Sequence, residues 1–267
     1  MCAPRTASDL FRPAQDGAHA LTVEDADADT QLGARVVTSY ARRPLVWVGE
    51  SGRTVDILRD VLAVHLLASA GFGPLQVGVR APFYVLATSE LDRPTGGVPG
   101  DHGLDAKLTL WRPEGDCTGC GAGLLGSLTA GWGAERLQLG GDGLSCELGA
   151  HGTFALPLHT LLLANAGVRF HPEADLGDMV ADDRFWTRAA LAGPVAGPFA
   201  LSAEAVAEVS LPSDAAELPL PVVEGLLVGS WGDGAELPQA RVRLGVPLSR
   251  GPGTPLLRIV AGVELRR

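Results

Sequence analysis

The chain has 267 residues, 46% of them apolar and 19% charged, with 35 Gly, 19 Pro and a formal net charge of −10 at pH 7. No apolar run approaches the ~20 residues that a membrane helix requires, and an acidic chain of pI ≈ 5.0 is ill suited to binding nucleic acid through a basic surface. A membrane β-barrel stays open on these grounds, because barrel strands give a far weaker hydropathy signal than helices.

Residues 1–31 form a polar lead-in that includes "EDADADT" and is expected to be mobile or loosely docked. Its start, "MCAPRTASDLF", shows no secretory-signal pattern. Residues 32–267 read as one all-β domain. Strands are predicted at 33–48, 60–72, 75–87, 103–111, 121–132 and 146–156, then at 160–170, 184–193, 199–211, 221–231, 240–248 and 256–265. The stretch "SAEAVAEV" (202–209) is rich in helix formers, yet it alternates, and is read as a strand. The pattern is plainest at the end, where Leu257, Ile259, Ala261, Val263 and Leu265 alternate with Arg258, Val260, Gly262, Glu264 and Arg266. Period-two alternation gives each strand two faces in different surroundings.

The connections sharpen this. "GFGP" (71–74), "LPLH" (156–159) and "GPVAGP" (193–198) are tight, whereas 89–103, 133–145 and 171–183 are long. Alternating short and long connections suit an outer-membrane barrel with short periplasmic turns and longer outer loops. Strand length agrees, since a tilted crossing takes about 9–11 residues and globular strands run about 5–6. The expected fold is an all-β, transmembrane antiparallel β-barrel of about twelve strands.

Parity assigns Arg35, Arg80, Asp105, Lys107, Glu147, Arg169, Arg188, Glu204, Glu208, Glu224, Arg241, Arg243, Arg258 and Glu264 to the lumen, with His65 and His151 beside them. Arg241 and Arg243 share parity with Glu224 and Glu264 on the last three strands and are expected to form a network. In the alternative, a soluble or secreted β-sandwich binding module, the same polar face would be the solvated outside.

Several of these segments carry a resemblance: "FRPAQDGAHALTVEDADA", "SYARRPLVWV", "LLASAGFGPLQVGVRAPFYVLATSE" and "LSRGPGTPLLRIVAGVELRR". Together they resemble the N-terminal barrel domain of outer-membrane protein A (OmpA) family proteins of the myxobacterial type. The likeness spans most of the chain at the level of pattern. It implies an outer-membrane barrel with both ends in the periplasm. Many relatives continue into a peptidoglycan-binding domain, and peptidoglycan binding is not carried over to this chain.

Other constellations are weaker. "GAGLLG" (121–126) fits G-x-G-x-x-G, but it runs into an alternating strand where the dinucleotide fingerprint needs a helix. "DCTGC" (116–120) is a lone Cys-x-x-Cys. It can be a redox pair, half a zinc site or a disulfide loop, and a Cys117–Cys120 bridge is the favoured reading if the chain meets an oxidising envelope. Acidic stretches 24–29 and 172–183 lack EF-hand spacing. No catalytic residue, metal site or cofactor is expected. The expected partners are outer-membrane lipids and small solutes in the lumen, in a bacterial outer-membrane protein with a structural or passive, porin-like role.

Overall fold

A computed structural model describes residues 12–15, 20, 22–26, 32–48, 54–90, 94, 96–113, 120–131, 143–170, 174–175, 180–181, 183–211, 222–231, 239–247 and 255–266. The side chains of 45–48, 54, 174–175, 180–181, 210, 239–247 and 266 lie outside that description. Twelve long strands carry the fold: β1 (Leu32–Val48), β2 (Thr54–Phe72), β3 (Leu75–Thr88), β4 (His102–Trp111), β5 (Gly121–Gly131), β6 (Gly143–Leu156), β7 (Thr160–Phe170), β8 (Arg184–Ala196), β9 (Phe199–Ser210), β10 (Val222–Trp231), β11 (Gln239–Pro247) and β12 (Leu257–Arg266). Each predicted strand interval overlaps one of them. A short piece, Val98–Pro99, pairs with β3, and a two-residue ladder joins Ala174–Asp175 to Val180–Ala181 in the β7–β8 connection.

Every long strand pairs antiparallel with its sequence neighbours, and β1 closes the ring on β12 from Gly33↔Arg266 to Arg42↔Leu257. The sheet therefore has no open edge among these strands, which rules out the sandwich: two packed open sheets would leave the first and last strands unpaired with each other. Closure by antiparallel neighbours satisfies the backbone groups of every strand without water, the condition for crossing a bilayer.

An even strand count leaves both ends of the barrel chain on the same rim. On that rim β2 turns into β3 through Gly73–Pro74, β6 into β7 through 157–159, and β8 into β9 through Gly197–Pro198. Gly73 and Gly197 have φ of +64° and +53°, a left-handed conformation that two-residue hairpins favour and that glycine adopts without a Cβ penalty. Leu158 and His159 also take positive φ. The opposite rim carries the longer connections 89–101, 132–142, 171–183 and 211–221.

β9 shows why alternation outweighs helix propensity here. Ser202, Glu204, Val206 and Glu208 are buried, whereas Leu201, Ala203 and Ala205 are exposed. Ladders from β8 and β10 hold the segment extended on both sides, and that pairing outweighs the few tenths of a kcal/mol per residue at stake in propensity.

Candidate functional site

The two faces of the wall are inverted relative to a soluble protein. Val36, Leu66 and Ile259 are exposed at 47%, 51% and 42%, while their neighbours Val37, Leu67 and Val260 are buried. The exposed apolar band continues around the ring through Val79, Leu104, Leu128, Leu148, Leu191 and Leu227. Exposed aromatic residues bound it. Phe72, Trp111, Phe154, Phe199 and Trp231 lie toward the rim with the tight turns, and Phe83, Phe170 and Phe185 toward the other. Phe185 pairs with Val209, about ten residues along β9 from Phe199. At ~3.4 Å per residue and a tilt near 40°, that span is about 26 Å along the barrel axis, which matches an apolar band roughly 25 Å tall.

The interior carries most of the charge, beside apolar clusters such as Val37, Leu67, Val228 and Val260. Cross-strand register sets Asp105 of β4 opposite Ser127, Ser127 opposite Glu147 of β6, Glu147 opposite Arg169 of β7, and Arg169 opposite Arg184 of β8. Along this line Arg169 donates to Glu147 at 2.8 Å and to Glu208 of β9 at 3.4 Å, and Arg184 donates to Glu208 at 3.4 Å. Arg80 of β3 stands 3.9 Å from Asp105. Two further buried pairs lie elsewhere on the wall: Arg35 with Glu264 at 3.3 Å, and Arg258 with Glu224 at 2.8 Å. Each of these carboxylates meets an arginine, because an unpaired buried charge costs several kcal/mol.

The described residues of the lead-in, 12–15, 20 and 22–26, are held inside the ring. Pro13, Ala14, Ala20, Thr22, Val23, Asp25 and Ala26 are buried inside the ring. Arg12 donates to both Asp105 and Glu147, and the Gln15 amide donates to Asp105 at 2.5 Å. Arg35 donates to the Ala14 carbonyl at 2.6 Å. Thr22 donates through its amide and hydroxyl to Glu204. The Glu24 amide donates to Asn165 Oδ1 at 2.7 Å, the Ala26 amide donates to Thr153 Oγ1, and the Thr109 hydroxyl donates to the Ala26 carbonyl. Ala26 thus sits against Thr109 of β4 and Thr153 of β6, and Arg12 against Asp105 and Glu147 farther along the same two strands. The segment runs lengthwise inside the barrel. Its polarity serves a polar interior, so composition alone reads the same as for a solvated tail.

Lys107, Arg188, His65 and His151 are buried in the wall. His65 Nε2 lies 3.3 Å from the Ser39 hydroxyl, and the Arg188 guanidinium lies 4.7 Å from the centre of the buried Trp186 ring. Arg241 and Arg243 lie on β11, where Arg243 pairs with Val228 and Val260 in the backbone ladder; their side chains are outside the described residues. Glu224 pairs with Arg258 and Glu264 with Arg35; the expected network with Arg241 and Arg243 falls on side chains outside the described residues. Cys120 is buried and disulfide-bonded, Cys117 lies outside the described residues, and Cys146 is free. Residues that sequence reading did not single out are Arg12, Gln15, Thr22, Asn165, Arg184 and Trp186. Of these Arg184 and Trp186 share the parity of Arg188; Arg12, Gln15 and Thr22 lie outside any strand and have no parity to read.

A cavity of about 30 Å³ remains between the segment and the wall, bordered by Arg12, Gln15, Gln76, Lys107, Glu147 and Arg188 among others. It has room for a water or two.

A closed antiparallel barrel of even strand number, with an apolar outer band, aromatic borders and a charged interior, is the architecture of transmembrane barrels of the bacterial outer membrane. The solved structures agree. An outer membrane channel from Pseudomonas putida matches with a TM-score of 0.71 at 15% identity, over 91% of this chain and 97% of that one. The NanC porin matches with a TM-score of 0.54 at 6% identity, over 87% and 97%. At such identities the likeness gives the fold. No family model and no curated protein sequence matches the chain.

Proposed function

We propose that this chain resides in a bacterial outer membrane and serves as a non-enzymatic, porin-like barrel that gives small polar solutes a passive path, with outer-membrane lipids against its outer band. The observation that carries this reading is the pairing of an exposed apolar band with a charged, polar bore. The lead-in inside that bore makes the present state a filled one. Passage then requires the segment to shift or leave.

Within that class, the sequence patterns quoted above support the N-terminal barrel of the OmpA family as the finer assignment. Downstream coding sequence for a peptidoglycan-binding domain would bear on it directly.

Single-channel recording in planar bilayers tests the function. The full chain is expected to conduct weakly, and a variant lacking residues 1–26 to conduct more. If neither conducts, the pore reading fails and the barrel is a structural element of the membrane.

A further inference from the structure

We propose that Asp105 and Glu147 form a guanidinium- and ammonium-binding site in the bore, and that Arg12 occupies it as a tethered ligand with which cationic solutes compete. The inference rests on the reading that solutes enter this lumen.

Arg12 bridges the two carboxylates with different nitrogens, Nη1 to Glu147 Oε2 and Nη2 to Asp105 Oδ1. The carboxylates come from β4 and β6, with Ser127 of β5 between them in register, so the wall sets their spacing without help from the lead-in. Each keeps a wall cation of its own, Arg80 near Asp105 and Arg169 on Glu147. The pair therefore stays compensated when Arg12 is absent, and the site does not depend on its occupant for folding. A second observation points to a donor-rich ligand. Gln76 is buried on the adjoining cavity, and its Oε1 accepts no hydrogen bond from any described residue. Two carboxylates and a spare amide oxygen around one small space, which Lys107 and Arg188 also border, suit a planar cation with several N–H groups in the place Arg12 now takes.

The lead-in is also attached in a way that permits exchange. Its described polar contacts to the wall go to wall side chains, with no strand ladder, so a solute can take over one of them without unpairing a strand.

Chemical rescue tests the proposal on the full-length, detergent-folded chain. Arg12→Ala should unfold at a lower temperature than the parent. Millimolar methylguanidinium should restore most of that loss through binding linkage, and N-methylurea, its neutral counterpart, should not. The parent, with its site filled, should respond to neither. Adding Asp105→Asn and Glu147→Gln to Arg12→Ala should abolish the rescue. Equal rescue by N-methylurea, no rescue by methylguanidinium, or rescue that survives loss of both carboxylates overturns the proposal. Because this measures binding and not current, a failure here is distinct from a failure of the pore reading.

Discussion

Arg258 of β12, with 0% of its surface exposed, donates through Nε to Glu224 of β10 at 2.8 Å, reaching across the intervening strand β11. The pair ties together strands that share no backbone ladder. Removing one partner strands a buried charge, at a cost of roughly 3–5 kcal/mol, whereas an apolar pair of similar volume can be close to neutral. Glu224→Ala should therefore lower stability by about that amount, and Glu224→Leu with Arg258→Met should recover much of it. Denaturant titration of the vesicle-folded barrel measures both. Equal losses in the single and double variants would count against an energetically coupled pair.

Depth on the outer face supplies a second test. Leu191 and Val195 lie on β8, four residues apart, and both are exposed. Val195 is next to the tight turn at Gly197, whereas Leu191 falls near the middle of the span from Phe185 to the turn. An arginine facing lipid costs roughly 2–4 kcal/mol at the midplane and about 0–1 near the interface. Leu191→Arg should thus be much more damaging than Val195→Arg in vesicle-folding titrations. Equal penalties would refute the placement of the bilayer.

A third prediction concerns the interior. Gly149, Gly167 and Trp186 follow one another as cross-strand partners over β6, β7 and β8. A Cβ at Gly149 would lie 2.6 Å from the Ala166 carbonyl oxygen and 2.9 Å from Trp186 Cζ2, and one at Gly167 would lie 2.3 Å from the Leu148 carbonyl oxygen and 2.7 Å from Cζ2. The indole needs both glycines. Gly149→Ala and Gly167→Ala should each cost at least about 1–3 kcal/mol by overpacking, and together less than the sum, since the ring obstructs both while each also meets a carbonyl that no ring shift relieves. Thermal unfolding of the two single variants and the double reads this directly; strict additivity would mean that Trp186 is not the shared obstacle.

Topology gives the fourth. With the tight turns in the periplasm, an epitope inserted in the β3–β4 loop at 89–101 should be labelled on intact cells. The same epitope at 73–74 should be labelled only after the outer membrane is opened. Labelling of both on intact cells, or of the second alone, would reject this orientation.

Alternation along residues 32–266 determined the twelve strands and their order, because a period of two is a local property and antiparallel neighbours joined by short turns pair in sequence. Even the helix-prone Ala and Glu residues of β9 obey it. Connection lengths separated the rims only in part, since 112–120 and 232–238 on the rim with the tight turns are longer than 49–53 on the other. Ring closure between β1 and β12 is another matter: it joins the two ends of the barrel domain, and only the accumulated stagger and curl of the sheet bring Arg35 to Glu264. The choice of ion-pair partners follows that stagger too, so Glu224 meets Arg258 across β11, a contact that shared parity permits but does not select. The lead-in was the least legible part. Arg12, Gln15 and Thr22 lie on no strand and have no period to read. They are held inside by wall groups 90 or more residues away in sequence, such as Asp105 for Gln15 and Glu204 for Thr22. A polar segment looks alike whether water or a charged bore satisfies it, and only the closed wall decides which.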